Sequence, residues 1–408
     1  MTKIKTMVRR DSYIKQILPF IDKDLVKVFM GVRRCGKSTL LTQIKDILLE
    51  RGVSENRILN VNYESKRFDH IKDADSLYDY VCQWQTKCEG KVYLLFDEIQ
   101  EVKNWEEAIN SFRVDFSCDI YVTGSNSRLL SGELATNLRG RYVSFNIFPF
   151  SFVEARQYYK NEGVSMSDEK LFSEFLKYGG FPQRFVFQEE EAVKVYLSDL
   201  YETVVFKDVI ERNGIKNIVL LRKLLEFFVD NIGNTFSANS IVKKLKSEGV
   251  KTSIETILFY IESITKSFAL YSVPRYNITG KKLLETSEKY YCVDLGFRTI
   301  LSRTDKPDIG HVCENLVYME LVARGWNVYV GKKNDVEIDF VCTKMDKTIY
   351  IQVAYLITDS DVEREFGNLE SIRNNYPKYV ISADSIDMSR NGIVHLNIID
   401  FLNQVGEW

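Results

Sequence analysis

Residues 31–38 read Gly-Val-Arg-Arg-Cys-Gly-Lys-Ser, and this octapeptide constrains the fold more than any other stretch of the 408-residue chain. It matches the G-x-x-x-x-G-K-[S/T] phosphate-binding loop, and its flanks are those such a loop requires. An apolar run, Val26–Met30, enters it and a helix-compatible stretch, Ser38–Leu49, leaves it. Gly31 and Gly36 let the backbone wrap a phosphate with no Cβ in the way. The loop amides then converge on the β-phosphate at the positive end of the following helix. Lys37 is expected at the β- and γ-phosphates of ATP and the Ser38 hydroxyl on Mg²⁺. Val32, Arg33, Arg34, Cys35 and Thr39 complete the expected nucleotide contacts. Arg33 and Arg34 are placed to reach phosphate or to pair with carboxylates of the lid, residues 151–213. Cys35 reads as a small filler whose thiol could make the site sensitive to thiol reagents.

The second half of the same chemistry lies about sixty residues on. Val92-Tyr-Leu-Leu-Phe-Asp97-Glu98 is a buried strand ending in two carboxylates. Asp97 is expected to hold Mg²⁺, directly or through water, and Glu98 to polarise the attacking water. The next strand ends Thr123-Gly-Ser125-Asn126, where Asn126 or Ser125 is the candidate γ-phosphate sensor. Arg139-Gly-Arg141 follows, and a guanidinium suits the spread charge of a transferring phosphoryl group. Arg141 is the candidate, on its own nucleotide or on that of a neighbouring copy in a homo-oligomer.

Strand-like runs at Val26–Met30, Arg57–Tyr63, Val92–Asp97, Asp119–Thr123 and Arg141–Phe148 alternate with helical stretches such as Trp105–Val114. That alternation predicts an α/β domain over 1–150, a parallel sheet with helices on both faces and its chemistry at the strands' C-terminal ends. Residues 151–213 read as a helical lid or connector, broken at Gly179-Gly180-Phe181-Pro182. Residues 214–298 read as three helices and a hairpin, the order of a winged helix-turn-helix, with Ser237 and Ser253 capping the second and third helices. Residues 299–408 restart with a helix, His311–Arg324, then three strands and an α/β tail.

A chain of this length exceeds one core. Its formal net charge of −2 gives no global attraction to nucleic acid. Seven scattered cysteines without a C-x-x-C and three isolated histidines argue against a disulfide framework and structural zinc. No charge-free run of about 18 residues marks a membrane span or secretion signal, so a cytoplasmic setting without membrane contact is expected.

Residues 25–155 together resemble a prokaryotic AAA-superfamily ATPase family. The motifs are Gly-Val-Arg-Arg-Cys-Gly-Lys-Ser, Leu-Phe-Asp-Glu-Ile-Gln, Val-Thr-Gly-Ser-Asn-Ser, Gly-Arg-Tyr and Pro-Phe-Ser-Phe, continued by Gly-Gly-Phe-Pro at 179–182. The resemblance implies ATP binding and slow hydrolysis, with a C-terminal domain of unknown function similar to restriction endonucleases. It implies no physiological substrate.

Two further regions carry weaker signals. Between Phe236 and Lys289 lie nine Lys/Arg (243, 244, 246, 251, 266, 275, 281, 282, 289) against five Glu, a local balance of +4. Double-stranded DNA is therefore a candidate partner of residues 236–289, although Glu255 and Glu262 on the third helix oppose groove insertion. The alternative is docking on the ATPase or on an unknown protein partner. In the last region Glu314, Asp339 and Gln352 resemble the helix acid, strand acid and Glu-x-Lys strand of the PD-(D/E)XK nuclease core. Gln352 stands where that core has Glu, and Ala354 where it has Lys. Gln is a weak Mg²⁺ ligand and Ala cannot stabilise a phosphorane, so the fold is expected without working nuclease chemistry.

Overall fold

The strand–helix alternation of the first 150 residues builds a five-stranded parallel sheet. Its strands are β1 (Val26–Met30), β2 (Ile58–Asn62), β3 (Val92–Asp97), β4 (Cys118–Gly124) and β5 (Tyr142–Asn146), in the order β2-β3-β4-β1-β5. The computed structural model describes residues 7–125, 138, 140–302 and 308–404. Asn126 and Arg139 lie outside the described residues. β1 and β3 are buried along their whole length, as strands covered on both faces must be. Lys27 on β1 is fully buried and is neutralised by Asp119 of β4. Helices Lys37–Glu50, Ala74–Gln85 and Trp105–Asp115 cover the sheet. Because all five strands are parallel, their C-terminal ends share one edge, where this architecture keeps its ligands.

Residues 7–148 form one compact unit, and Pro149–Thr265 with the described part of Ala269–Trp408 forms the other. The second unit starts with helices Phe152–Asn161, Asp168–Tyr178 and Glu190–Leu200. The break at 179–182 has a specific cause. Gly180 N–H donates to Asp294 Oδ2 at 2.6 Å, and a Cβ on Gly179 would stand 1.8 Å from Asp294 Oδ1. A Cβ on Gly180 would stand 2.2 Å from the Phe150 carbonyl. Both glycines therefore make room for close backbone and carboxylate approach.

Helices Ile218–Asp230, Ala238–Ser247 and Ile254–Lys266 belong with the short β6 (Thr235–Phe236) and a hairpin of β7 (Leu270–Asn277) and β8 (Lys282–Cys292), and β6 pairs β8. Ser237 and Ser253 accept hydrogen bonds from the backbone N–H three residues on, as caps. The order is the expected one, but the hairpin does not stand alone. A helix not read from the sequence, Leu295–Leu301, follows it, and then helix Ile309–Ala323 leads into β9 (Asn327–Lys333). Next come β10 (Val336–Lys344), β11 (Lys347–Val353), helix Val362–Glu370, β12 (Lys378–Ser382) and β13 (Ile393–Asn397). All of these strands join one eight-stranded sheet, β13-β12-β11-β10-β9-β7-β8-β6. β7 pairs β9 in parallel, Arg275–Asn277 against Val330–Lys332. The expected boundary at 298/299 thus falls between strands of a single sheet. The pairing satisfies an edge that a free hairpin would leave open. β9, β10 and β11 are antiparallel neighbours, whereas β11, β12 and β13 run parallel. Among the described residues no helix is long and apolar enough to cross a membrane.

Candidate functional site

The phosphate loop closes β1 onto helix Lys37–Glu50 through two glycines of positive φ, +151° at Gly31 and +106° at Gly36. Gly31 is also the point of closest approach, since a Cβ there would stand 2.0 Å from the Ile147 carbonyl. Cys35 is completely buried against this glycine, and burial raises its thiol pKa. The filler role is therefore the right one. A buried, protonated thiol also speaks against the sensitivity to thiol reagents.

Lys37 is 3% exposed and its Nζ donates to the Gly31 and Val32 carbonyls at 3.0 and 3.2 Å. The same ammonium stands 3.5 Å from Glu98 Oε1. Glu98 follows β3 directly and takes a left-handed φ of +56°, uncommon for a non-glycine residue. Burial pushes its carboxyl upward, but Lys37, Gln100, Ser125 and Arg33 outweigh that, and its pKa lies below the usual value. Asp97 shifts the other way. Burial raises it, Thr123 and Ser38 oppose through hydrogen bonds, and the neighbouring Glu98 adds to the rise. The two adjacent carboxylates are thus differentiated by environment.

A residue not nominated from the sequence ties them together. Thr123 Oγ1 donates to Asp97 Oδ1 at 2.6 Å and accepts the Glu98 N–H at 2.8 Å. Asn62, opposite Asp97 on β2, donates to Asp97 Oδ2 at 3.1 Å. Of the two sensor candidates, Ser125 is buried and hydrogen-bonds Glu98. The available signal for Thr123 is a polar residue ending an apolar strand beside the Asp-Glu strand.

Arg10 is a second residue that the sequence does not single out. It is 1% exposed, and its guanidinium donates to the Cys35 carbonyl at 2.9 Å and to the Phe148 carbonyl at 2.8 Å. One buried cation therefore braces the phosphate loop against the end of β5. Nothing in Arg9-Arg10 as a sequence tells which of the two is buried.

The other arginines separate. Arg33 pairs with Glu64 at 2.7 Å, and Arg34 is exposed with a φ of +65°. Arg141 is exposed and precedes Tyr142, the register partner of Val26. Five strand steps put it roughly 15 Å from the loop end of β1. The expectation that Arg141 meets its own nucleotide is thereby corrected, because it belongs to the opposite edge of a parallel sheet.

In the second unit, Glu314, Asp339 and Gln352 converge. Asp339 N–H donates to Gln352 Oε1 at 3.3 Å and Val353 N–H to Asp339 Oδ2 at 2.9 Å. The lysine that position 354 lacks arrives from the hairpin. Lys289 Nζ lies 2.7 Å from Glu314 Oε1, 3.0 Å from Glu337 Oε1 and 3.6 Å from Asp339 Oδ1. Burial lowers the Lys289 pKa, but the three carboxylates outweigh it and the ammonium is held charged. Burial pushes Asp339 up to about 7, with Glu314 adding and Lys289 opposing. Lys289, counted in the local basic balance of residues 236–289, is 3% exposed and neutralises acids. Among the described residues no three His, Cys, Asp or Glu are placed to hold a metal ion. The tethered ammonium takes the part of a cation there.

A family model described as an AAA domain matches residues 23–156, and one described as a domain of unknown function matches 169–308. An uncharacterized protein of Haemophilus influenzae is 38% identical over 401 residues, 98% of this chain and 100% of that protein. An uncharacterized protein of Methanocaldococcus jannaschii is 30% identical over 376 residues, covering 89% and 81%. Among solved structures, the Walker-type ATPase of Pyrococcus abyssi is similar at a TM-score of 0.45 and 15% identity, covering 74% of this chain and 97% of that one. The phosphate loop, the AAA match around it and relatives aligned over nearly the whole length place the chain in a prokaryotic family of AAA-type P-loop ATPases.

Proposed function

We propose that the chain is a Mg²⁺-dependent ATP hydrolase whose turnover switches or drives an attached process. The observation that carries this reading is the Lys37–Glu98 ion pair at the loop, beside Asp97. The residues fit the nucleotide and its metal. Lys37 and the amides of Gly31–Thr39 would hold the phosphates, and Ser38 and Asp97 would hold Mg²⁺. Bound Mg²⁺ neutralises charge on the β- and γ-phosphates. Lys37 is tied to two carbonyls and to Glu98, so an arriving γ-phosphate draws it away. Glu98 then loses its cation and is free to accept a proton from water. Thr123 keeps Glu98 and Asp97 in register throughout.

Phosphate release by wild type, Lys37→Ala and Glu98→Gln tests this. Lys37→Ala should bind ATP weakly, and Glu98→Gln should bind it and not turn it over. A wild type that ignores millimolar ATP sinks the proposal. Copurifying nucleotide without release would instead support a regulatory module with structural nucleotide. Sedimentation with and without a non-hydrolysable analogue tests whether Arg141 acts on a neighbouring copy.

Association with double-stranded DNA through 236–289 rests on exposed Lys243, Lys246, Lys251 and Lys282. The third helix weighs against groove reading, because it exposes Ile254, Leu258 and Phe259. A salt titration of binding decides the matter, and absence of a salt slope removes DNA from the partners.

A further inference from the structure

The second unit contains a cavity of 530 Å³ that belongs neither to the phosphate loop nor to the Lys289 cluster. Its size falls within the roughly 300–1,000 Å³ of small-ligand sites. The floor is set by the register of β10 and β11. Thr343 pairs directly with Thr348 and Val341 with Tyr350, so two hydroxyls and an aromatic ring share one face. The wall is the turn after helix Val362–Glu370, and it is held in place. Asn374 Nδ2 donates to the Tyr350 hydroxyl at 3.0 Å, and Asn374 Oδ1 accepts the Tyr376 N–H at 3.2 Å. The Tyr376 ring, 44% exposed, is thereby fixed 6.2 Å from the Tyr350 ring with a face left open.

The rim is cationic. Lys281, in the β7–β8 turn, and Arg373 both line the cavity and both are exposed. Neither makes an ion pair or side-chain hydrogen bond with the described residues, and no carboxylate lines the cavity. Two uncompensated cations around one cavity stand out in a chain with 55 basic and 57 acidic residues. An open aromatic face, floor hydroxyls and a paired cationic rim match a ligand with a flat ring, a polar middle and an anionic end. We propose that this cavity binds a nucleoside phosphate, its base against Tyr376 and its phosphate between Lys281 and Arg373. The ligand is either a free nucleotide or one unit of a single-stranded nucleic acid. The proposal does not depend on the reading of the phosphate loop.

The test uses the full-length protein carrying Lys37→Ala, so that the phosphate loop contributes little. One arm titrates adenosine and uridine 5′-monophosphate by calorimetry; the other titrates a fluorescein-labelled eight-nucleotide oligothymidylate by anisotropy. Saturable binding is expected in at least one arm, and which arm responds identifies the source. Tyr376→Ala and the double variant Lys281→Glu/Arg373→Glu should each weaken it about tenfold or more. These positions are exposed, and an unchanged thermal midpoint confirms that the variants fold. No binding in either arm at millimolar nucleotide or micromolar oligonucleotide overturns the proposal. So does binding indifferent to all three substitutions, or inorganic phosphate competing as well as the nucleotide.

Discussion

Asp294 shows how much one buried carboxylate organises in the second unit. It accepts the Gly180 N–H at 2.6 Å and the Gly296 N–H at 2.8 Å, and Gly179 leaves it space. Gly179→Ala is expected to cost about 4 kcal/mol in urea denaturation, because the new Cβ meets a fixed carboxylate at a φ of +66°. Gly163→Ala is the control. It has a φ of +70° but nothing within 4 Å, so it should cost only about 1 kcal/mol. Burial raises the Asp294 pKa from 3.8 to about 6, against the opposing hydrogen bonds from Gly180 and Gly296. For a carboxyl raised on folding, the linked stability is fully present below 3.8 and is lost as pH rises through about 6. Thermal midpoints of wild type and Asp294→Asn from pH 4 to 8 check this. The wild type should gain on the variant as pH falls through that window, by at most about 3 kcal/mol.

At the scale of elements, the hairpin β7–β8 is defined by what it joins. Its order after three helices is readable, because the second and third helices each start with a Ser whose side chain bonds the N–H three residues on. Its partner strand is not, because β7 and β9 are separated by β8 and two helices and meet only through a parallel pairing. Lys289 fastens that union, reaching Glu314 on a helix and Glu337 and Asp339 on β10. Lys289→Met should lower stability by about 3–5 kcal/mol, since it leaves buried carboxylates without their cation. Urea denaturation of wild type and Lys289→Met checks this.

The whole chain comprises two compact units, each with its own sheet, so unfolding is expected in two calorimetric transitions. A non-hydrolysable ATP analogue with Mg²⁺ at about 100 times its Kd should stabilise one of them by about 2.7 kcal/mol, and Lys37→Ala should abolish the shift. The nucleotide unit is legible in the amino-acid sequence alone. Glycine conformations, an entering strand, a leaving helix and an Asp-Glu strand end are each written in short contiguous stretches, and parallel connections bring their ends to one edge. Even there, Thr123 and Arg10 give no clear sign, since their roles depend on which strand or loop lies across from them. The own-nucleotide reading of Arg141 fails because Gly-Arg-Tyr says nothing about the end of the sheet at which a strand begins. The sequence by itself determined the phosphate loop, its carboxylates and the strand–helix alternation around them, all written in local backbone preference and periodic burial. Only the tertiary structure decided that the hairpin would close onto β9 and that its Lys289 would supply a cation among three distant acids. Those outcomes follow from long-range strand register and from the need to satisfy open edges and buried charge, and no contiguous stretch of residues encodes either.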